Sequence, residues 1–177
     1  TKYSNTIKVA KEVIGIRPEY KHFGTMHILN SKKGTYFLAD TLINRHPNAE
    51  TLIDIAKLSE EELFWLTDST ELDSAMAQLM ARFPLRYLFV TQGKDGVRVS
   101  TASSQCHVPC RPVSPLDTTG AGDAFVAGLL AALATLDTLP ALDDLMPALT
   151  QAQACGALAT TALGAMTAQI GRASCRE

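Results

Sequence analysis

Gly120-Ala121-Gly122-Asp123 sits inside SPLDTTGAGDAFVAG, residues 114–128, where turn-forming residues give way to a small-residue, helix-forming run. These residue types in this order have a definite chemical use. A helix start leaves several backbone N–H groups without intrahelical partners and carries the positive end of the helix dipole. Glycine has no Cβ, so an anion can come close to the backbone at Gly120 and Gly122, and Ala121 keeps the position between them small. The amides of Gly120, Ala121, Gly122 and Asp123 can together form an anion hole. A carboxylate at Asp123 cannot hold that anion by charge, but it is placed to take a proton from a hydroxyl that attacks a bound phosphoryl group. The spacing points to phosphoryl transfer to an alcohol. The same residues also fit a plain helix start, with Asp123 as cap and the glycines tolerating the turn.

Such a corner works only if strands and helices hold it. From Lys57 onward the pattern alternates. SEEELFWLT and ELDSAMAQLMARF read as helices, and RYLFVTQG reads as a buried strand with a continuous apolar run. Lys94-Asp95-Gly96 is a turn signal, and VRVST and CHVPCRPV alternate as strands. A helix is expected from Gly122 to about Ala134. LDDLMPALTQAQACGALATTAL reads as mostly helical, with Pro147 near its start and Gly164 after it. Strand–helix alternation of this kind predicts a three-layer α/β/α sheet.

The full DTTGAGDAF resembles the signature of the ribokinase/PfkB family of carbohydrate kinases, and its strand–turn–helix setting agrees. The wording from KLSEEEL through LGAMTA, residues 57–169, is closest to the fructokinase and aminoimidazole riboside kinase branches and covers the C-terminal part of such an enzyme. The resemblance implies a ribokinase-like, Rossmann-like fold. It implies ATP-dependent phosphorylation of a sugar or riboside hydroxyl, with Asp123 as base and Gly120, Ala121 and Gly122 lining the anion hole. By the same resemblance, Thr91, Gln92, Gly93 and Gly96 lie along ATP, and Gln153 lies near the adenine. Glu62 takes the place of a glutamate that organises Mg²⁺ through water, with Ser59 where the family has asparagine. Ser59-x-x-Glu62 is equally a capping box opening a helix. Asp117 and Thr119 pair with Ala159, Ala162 and Gly164 around a monovalent cation, K⁺, for which hard oxygen ligands are suited. The family's sugar pocket and β-sheet lid come largely from an N-terminal half with no counterpart here, so these residues alone are expected to be an inactive fragment.

Residues 1–57 differ in kind. They hold seven Lys, seven Ile, four Asn and four Ala, whereas residues 58–177 hold one Lys, one Ile, no Asn and twenty Ala. Lys, Ile and Asn follow A+T-rich coding and Ala follows G+C-rich coding, so two sources are read. TIKVAKEVI has helical spacing, MHILN and GTYFLADT read as strands joined by Ser31-Lys32-Lys33-Gly34, and HPNAETLIDIAKL reads as a helix with Pro47 near its start. Asp40, Asn44 and Arg45 are either an anion site or a solvated loop. VAKEVIGIRPEY and the run ADT…N…P.AE.L..IA resemble the phosphate acetyl/butyryl-transferase domain of bacterial malic enzymes. This implies an unrelated α/β fragment joined at DIAKL, and a conflict there. The first resemblance makes the segment a helix, while the second makes it a buried strand. Residues 170–177, IGRASCRE, read as a non-native tail.

Composition bounds the partners. With 46% hydrophobic and 19% charged residues the chain is expected to be globular, and a net charge of −2 argues against a general nucleic-acid or membrane-surface role. No run of about 20 apolar residues reads as a membrane span. The start at Thr1 without Met is read as that of a fragment, with no signal peptide. Four cysteines without secreted-domain density point to a reducing, cytoplasmic setting, and CHVPC lacks a second Cys/His pair at zinc spacing. ATP and a small sugar or riboside are the expected partners, with a homodimer possible for the intact parent. Two alternatives stay open: a malic-enzyme or phosphate acetyltransferase relative, and a non-catalytic nucleotide-binding α/β module.

Overall fold

The computed structural model describes residues 26–31, 34–39 and 54–164. The helix expected over Thr6–Ile14, the group Asp40, Asn44 and Arg45, and the tail 170–177 lie outside the described residues.

Two short apolar runs set the centre. IAKL and YLFV are buried at every position, in strands β3 (Ile55–Ser59) and β4 (Tyr87–Thr91). They pair in parallel, from Ile55 opposite Tyr87 to Ser59 opposite Thr91. Strands covered on both faces read as unbroken apolar runs, and that is the pattern here. They lie in one six-stranded sheet whose spatial order follows the chain. β1 (Met26–Ser31) and β2 (Gly34–Ala39) are antiparallel, as the sequence predicts for two strands joined at residues 32–33. β2 runs parallel to β3, while β5 (Val97–Ser100) and β6 (Gln105–Val108) continue antiparallel from β4.

Because side chains alternate across a strand, the two faces make two cores. Ala56, Leu58, Leu88 and Val90 pack with Leu63, Met76 and Leu79 of helices α1 (Glu60–Thr67) and α2 (Leu72–Arg82). Ile55, Tyr87, Phe89, Val97 and Val99 pack with Phe125, Leu129 and Leu149 of helices α3 (Ala121–Leu133) and α4 (Met146–Ala159). Helices on both faces give the three-layer α/β/α arrangement expected from the alternation. α3 and α4 approach closely because the contact residues are small. A Cβ on Gly128 would lie 2.9 Å from Cys155 Sγ and 3.0 Å from Ala152 Cα.

Two expectations are corrected. The helix read through HPNAETLIDIAKL does not reach its C-terminal end, because Ile55–Ser59 is a strand. A short apolar run does not reveal its period, and here the backbone ladder to β4 and burial on both faces decide for the strand. Residues 46–53 of that segment lie outside the described residues. The strand read through CHVPCRPV ends at Val108. Pro109 has no N–H to give to the ladder, and residues 109–115 form no regular element.

Candidate active site

The carboxyl ends of β3 and β4 lie side by side, and in open α/β sheets that edge is where ligands bind. Four of the expected nucleotide-binding residues lie at the end of β4 and in the turn after it. Thr91 Oγ1 donates to the Leu58 carbonyl at 3.3 Å, and Gln92 Nε2 donates to Glu60 Oε1 at 2.8 Å, tying the end of β4 to the start of α1. Gly93 opens a one-turn 3₁₀ segment, Gly93–Asp95, which Gly96 closes with φ of 102°. A Cβ on Gly96 would stand 2.2 Å from the Val108 carbonyl, so the turn requires glycine there. Gln153, expected near the adenine, donates through Nε2 to the Val108 carbonyl at 2.6 Å, which fastens α4 to the end of β6.

At the start of α3 the cap is Gly120, in the left-handed conformation with φ of 81°, and no side chain caps the helix. This corrects the reading of Asp123 as cap. Asp123 stands in the first helical turn and is exposed. Ala121 N donates to the Thr118 carbonyl at 3.2 Å, and among the described residues the Gly122 and Asp123 amides have no acceptor, at the positive end of a helix spanning Ala121–Leu133.

Lys57 meets this helix start. It follows Ile55 on the α3 and α4 face of β3, and it is one of few buried polar residues, 9% exposed. A Cβ on Gly122 would lie 3.0 Å from Lys57 Nζ and 3.9 Å from its Cε, so the ammonium tip is the atom nearest the glycine. Lys57 is not among the residues that the spacing of motifs singles out. Its one signal is a charge inside a run otherwise fit for burial.

Asp117, Thr119 and Gly164 come together. Thr119 N donates to Asp117 Oδ1 at 2.9 Å, and Gly164 N donates to Oδ2 at 2.9 Å. The Thr119 side-chain hydrogen bond foremost, then the Thr119 and Gly164 amides, hold the Asp117 carboxyl below its ordinary value. The Thr160 carbonyl, which no motif marks, takes the Leu116 and Asp117 amides at 2.7 and 3.1 Å and so fixes this loop to the end of α4. Ala159 closes α4 and is buried, and Ala162 lies in the turn beyond it. Among the described residues no group of three or more His, Cys, Asp or Glu could hold a metal. A cation beside Asp117 would therefore draw on carbonyl oxygens.

Glu62 stands in the capping box. Ser59 N donates to Glu62 Oε2 at 2.7 Å, and Glu62 N donates to Ser59 Oγ at 3.2 Å. One carboxylate oxygen is thus held by the start of α1. In CHVPC, burial foremost pushes the Cys106 thiol up, with the Asp143 carboxylate adding and Arg98 opposing. A thiol kept protonated is a poor metal ligand.

The profile described as "pfkB family carbohydrate kinase" matches residues 24–170. The chain belongs to this family. It is 55% identical over 120 residues to a fructokinase of Klebsiella pneumoniae, covering 68% of this chain and 39% of that protein. The structure of a double mutant of the Vibrio cholerae O395 fructokinase, in its fructose-, ADP- and potassium-bound form, matches with a TM-score of 0.65 at 41% identity, over 70% of this chain and 39% of that one. The aminoimidazole riboside kinase of Salmonella enterica, complexed with aminoimidazole riboside and an ATP analogue, matches with a TM-score of 0.66 at 36% identity, over 72% of this chain and 42% of that one. The chain spans about two fifths of the length of these relatives. No helix among the described residues is long and apolar enough to cross a membrane.

Proposed function

We propose that this chain carries the nucleotide and phosphoryl-transfer corner of an ATP-dependent kinase acting on a hydroxyl of a sugar or riboside. The observation that carries this reading is the uncapped start of α3, with Gly120 in the left-handed conformation and Asp123 in the first turn. In that reading the amides at 120–123 hold the terminal phosphate, and Asp123 takes the proton of the substrate hydroxyl. The hydroxyl oxygen then forms its bond to phosphorus as the bond to the β-phosphate oxygen breaks, and ADP leaves with that electron pair. Thr91, Gln92, Gly93, Gly96 and Gln153 line the nucleotide's path.

The cation assignments are part of the same proposal. A potassium ion fits beside Asp117, whose ionised carboxylate is held by Thr119 and Gly164, with the carbonyls of Ala159 and Ala162 as further oxygens. When bound, it would add positive charge next to the anion hole. A magnesium ion that accompanies ATP would meet Glu62 through water. The enzyme is proposed to be cytoplasmic, and its intact form a homodimer that binds neither nucleic acid nor membrane.

The test is a hybrid. The matching segment of this chain replaces its counterpart in the Klebsiella fructokinase, and ADP release is followed with fructose, ribose and aminoimidazole riboside. Release stimulated by one of them is expected. A folded hybrid that binds ATP but releases no ADP with any of them would leave a non-catalytic nucleotide-binding module. Release of CoA from acetyl-CoA with formation of acetyl phosphate from added phosphate would favour the acyltransferase alternative.

The composition change near Lys57 falls inside the stretch 24–170 that the family profile matches. We propose a join of two coding sources there. One contiguous gene in a cultured organism, read across codons 50–60, would remove it.

A further inference from the structure

We propose that Lys57 is a phosphate-binding side chain of the α3 anion site, reaching the terminal phosphate of the bound nucleotide. The inference rests on the kinase reading above and deepens it. Three observations combine. Lys57 is buried to about nine tenths, on a strand whose neighbours Ile55, Ala56 and Leu58 are fully buried. Its ammonium lies against Gly122, in the first turn of a helix that no side chain caps. Among the described residues no hydrogen bond or ion pair engages it, and neither Asp123 nor another described carboxylate partners it.

Each of these is unfavourable for an empty site. An ammonium on a largely buried residue gains from a compensating charge or acceptor, and among the described residues this one has neither. It also faces the positive end of a helix dipole, which adds repulsion. An amphipathic lysine that buries its stem for packing sends its tip to solvent. Here the tip comes out beside Gly122, at the backbone that would cradle an anion. A phosphoryl group between the ammonium and the amides of Gly122 and Asp123 would reverse both terms, since it neutralises the lysine and takes the free N–H donors. A side chain at 122 would press on the ammonium, since its Cβ would lie 3.0 Å from Lys57 Nζ and the lysine tip would have to give way.

At such an anion hole the group held would be the terminal, transferred phosphate. Lys57 is therefore expected to distinguish ATP from ADP.

The test is calorimetric titration of the 177-residue chain with ATP and with ADP, together with thermal unfolding in the absence of nucleotide. Lys57→Met keeps the length and apolar stem and removes the charge. It is expected to weaken ATP binding tenfold or more, to change ADP binding less than twofold, and to leave the melting temperature equal or higher. Gly122→Ala keeps the lysine and crowds its ammonium, and it is expected to lower the preference for ATP over ADP in the same direction. Unchanged ATP affinity in both variants overturns the inference and leaves the kinase reading standing. Equal losses for ATP and ADP, or a marked fall in melting temperature without nucleotide, also overturn it, since either makes Lys57 a structural part. Wild-type chain that binds neither nucleotide overturns the kinase reading and this inference with it.

Discussion

Asp123 and Asp117 lie in one short stretch, yet their surroundings assign them different work. Asp123 is exposed in the first turn of α3, free to meet a substrate hydroxyl, whereas Asp117 has both oxygens taken by backbone amides. In the hybrid fructokinase, Asp123→Asn is expected to lower kcat by about 10²–10⁴-fold, the usual size of a general-base contribution. ATP affinity should stay within about twofold, because the amides and not the carboxylate hold the phosphate. Near-normal turnover in steady-state ADP release would refute the base assignment. For Asp117 the sign runs the other way from a base. Its folded-state value is depressed, so the ionised form supports the fold above the ordinary aspartate value, and that support is lost as pH falls through the depressed one. The tie between residues 117–119 and Gly164 should hold at neutral pH and loosen only as pH falls below the ordinary aspartate value. A carbon-detected NMR titration of the Asp117 carboxyl reads this directly, and a midpoint at or above the ordinary aspartate value would contradict it.

The elements that aim these residues have separate local causes. Helix α1 starts at Ser59 because the Ser59 hydroxyl and Glu62 carboxylate satisfy each other's backbone N–H groups. Ser59→Ala is expected to cost about 1 kcal/mol, a fall of about 2–4 °C in melting temperature for a chain of this size. The turn after β4 is more demanding. At Gly96 the backbone has φ of 102° and an added Cβ would stand 2.2 Å from a backbone oxygen. Gly96→Ala should therefore cost at least about 2 kcal/mol in chemical denaturation. Because the same turn carries Gly93 and follows Thr91 and Gln92, ATP affinity should fall along with stability. Stability equal to wild type would show that the turn can be rebuilt without glycine.

At the scale of the whole molecule, one sheet with helices on both faces carries the start of α3, the carboxyl ends of β3 and β4, and the loop at 117–119, the three places to which the proposed phosphate, nucleotide and cation sites belong. The chain spans 39% of the Klebsiella fructokinase, and a kinase site needs both a nucleotide side and a sugar side. A polypeptide of residues 1–177 is expected to bind ATP and to release no ADP in response to fructose. Fructose-dependent ADP release by the purified chain would show that these residues supply both.

Much of this was legible in the chain because it is local. GAGD needs only the backbone freedom of glycine and the free amides of a helix start, and Ser59-x-x-Glu62 needs only three residues of helix, so both are readable one turn at a time. The unbroken apolar run YLFV likewise declares a strand covered on both faces. What the tertiary structure alone decides is non-local. IAKL fits a helical face as well as it fits a strand until β4 supplies the ladder. Thr160 becomes a tether only when the end of α4 meets Leu116 and Asp117. Lys57 gains meaning only when β3 carries it to Gly122, because burial and charge at a point in space depend on which segments meet there, and no spacing along the chain records that meeting.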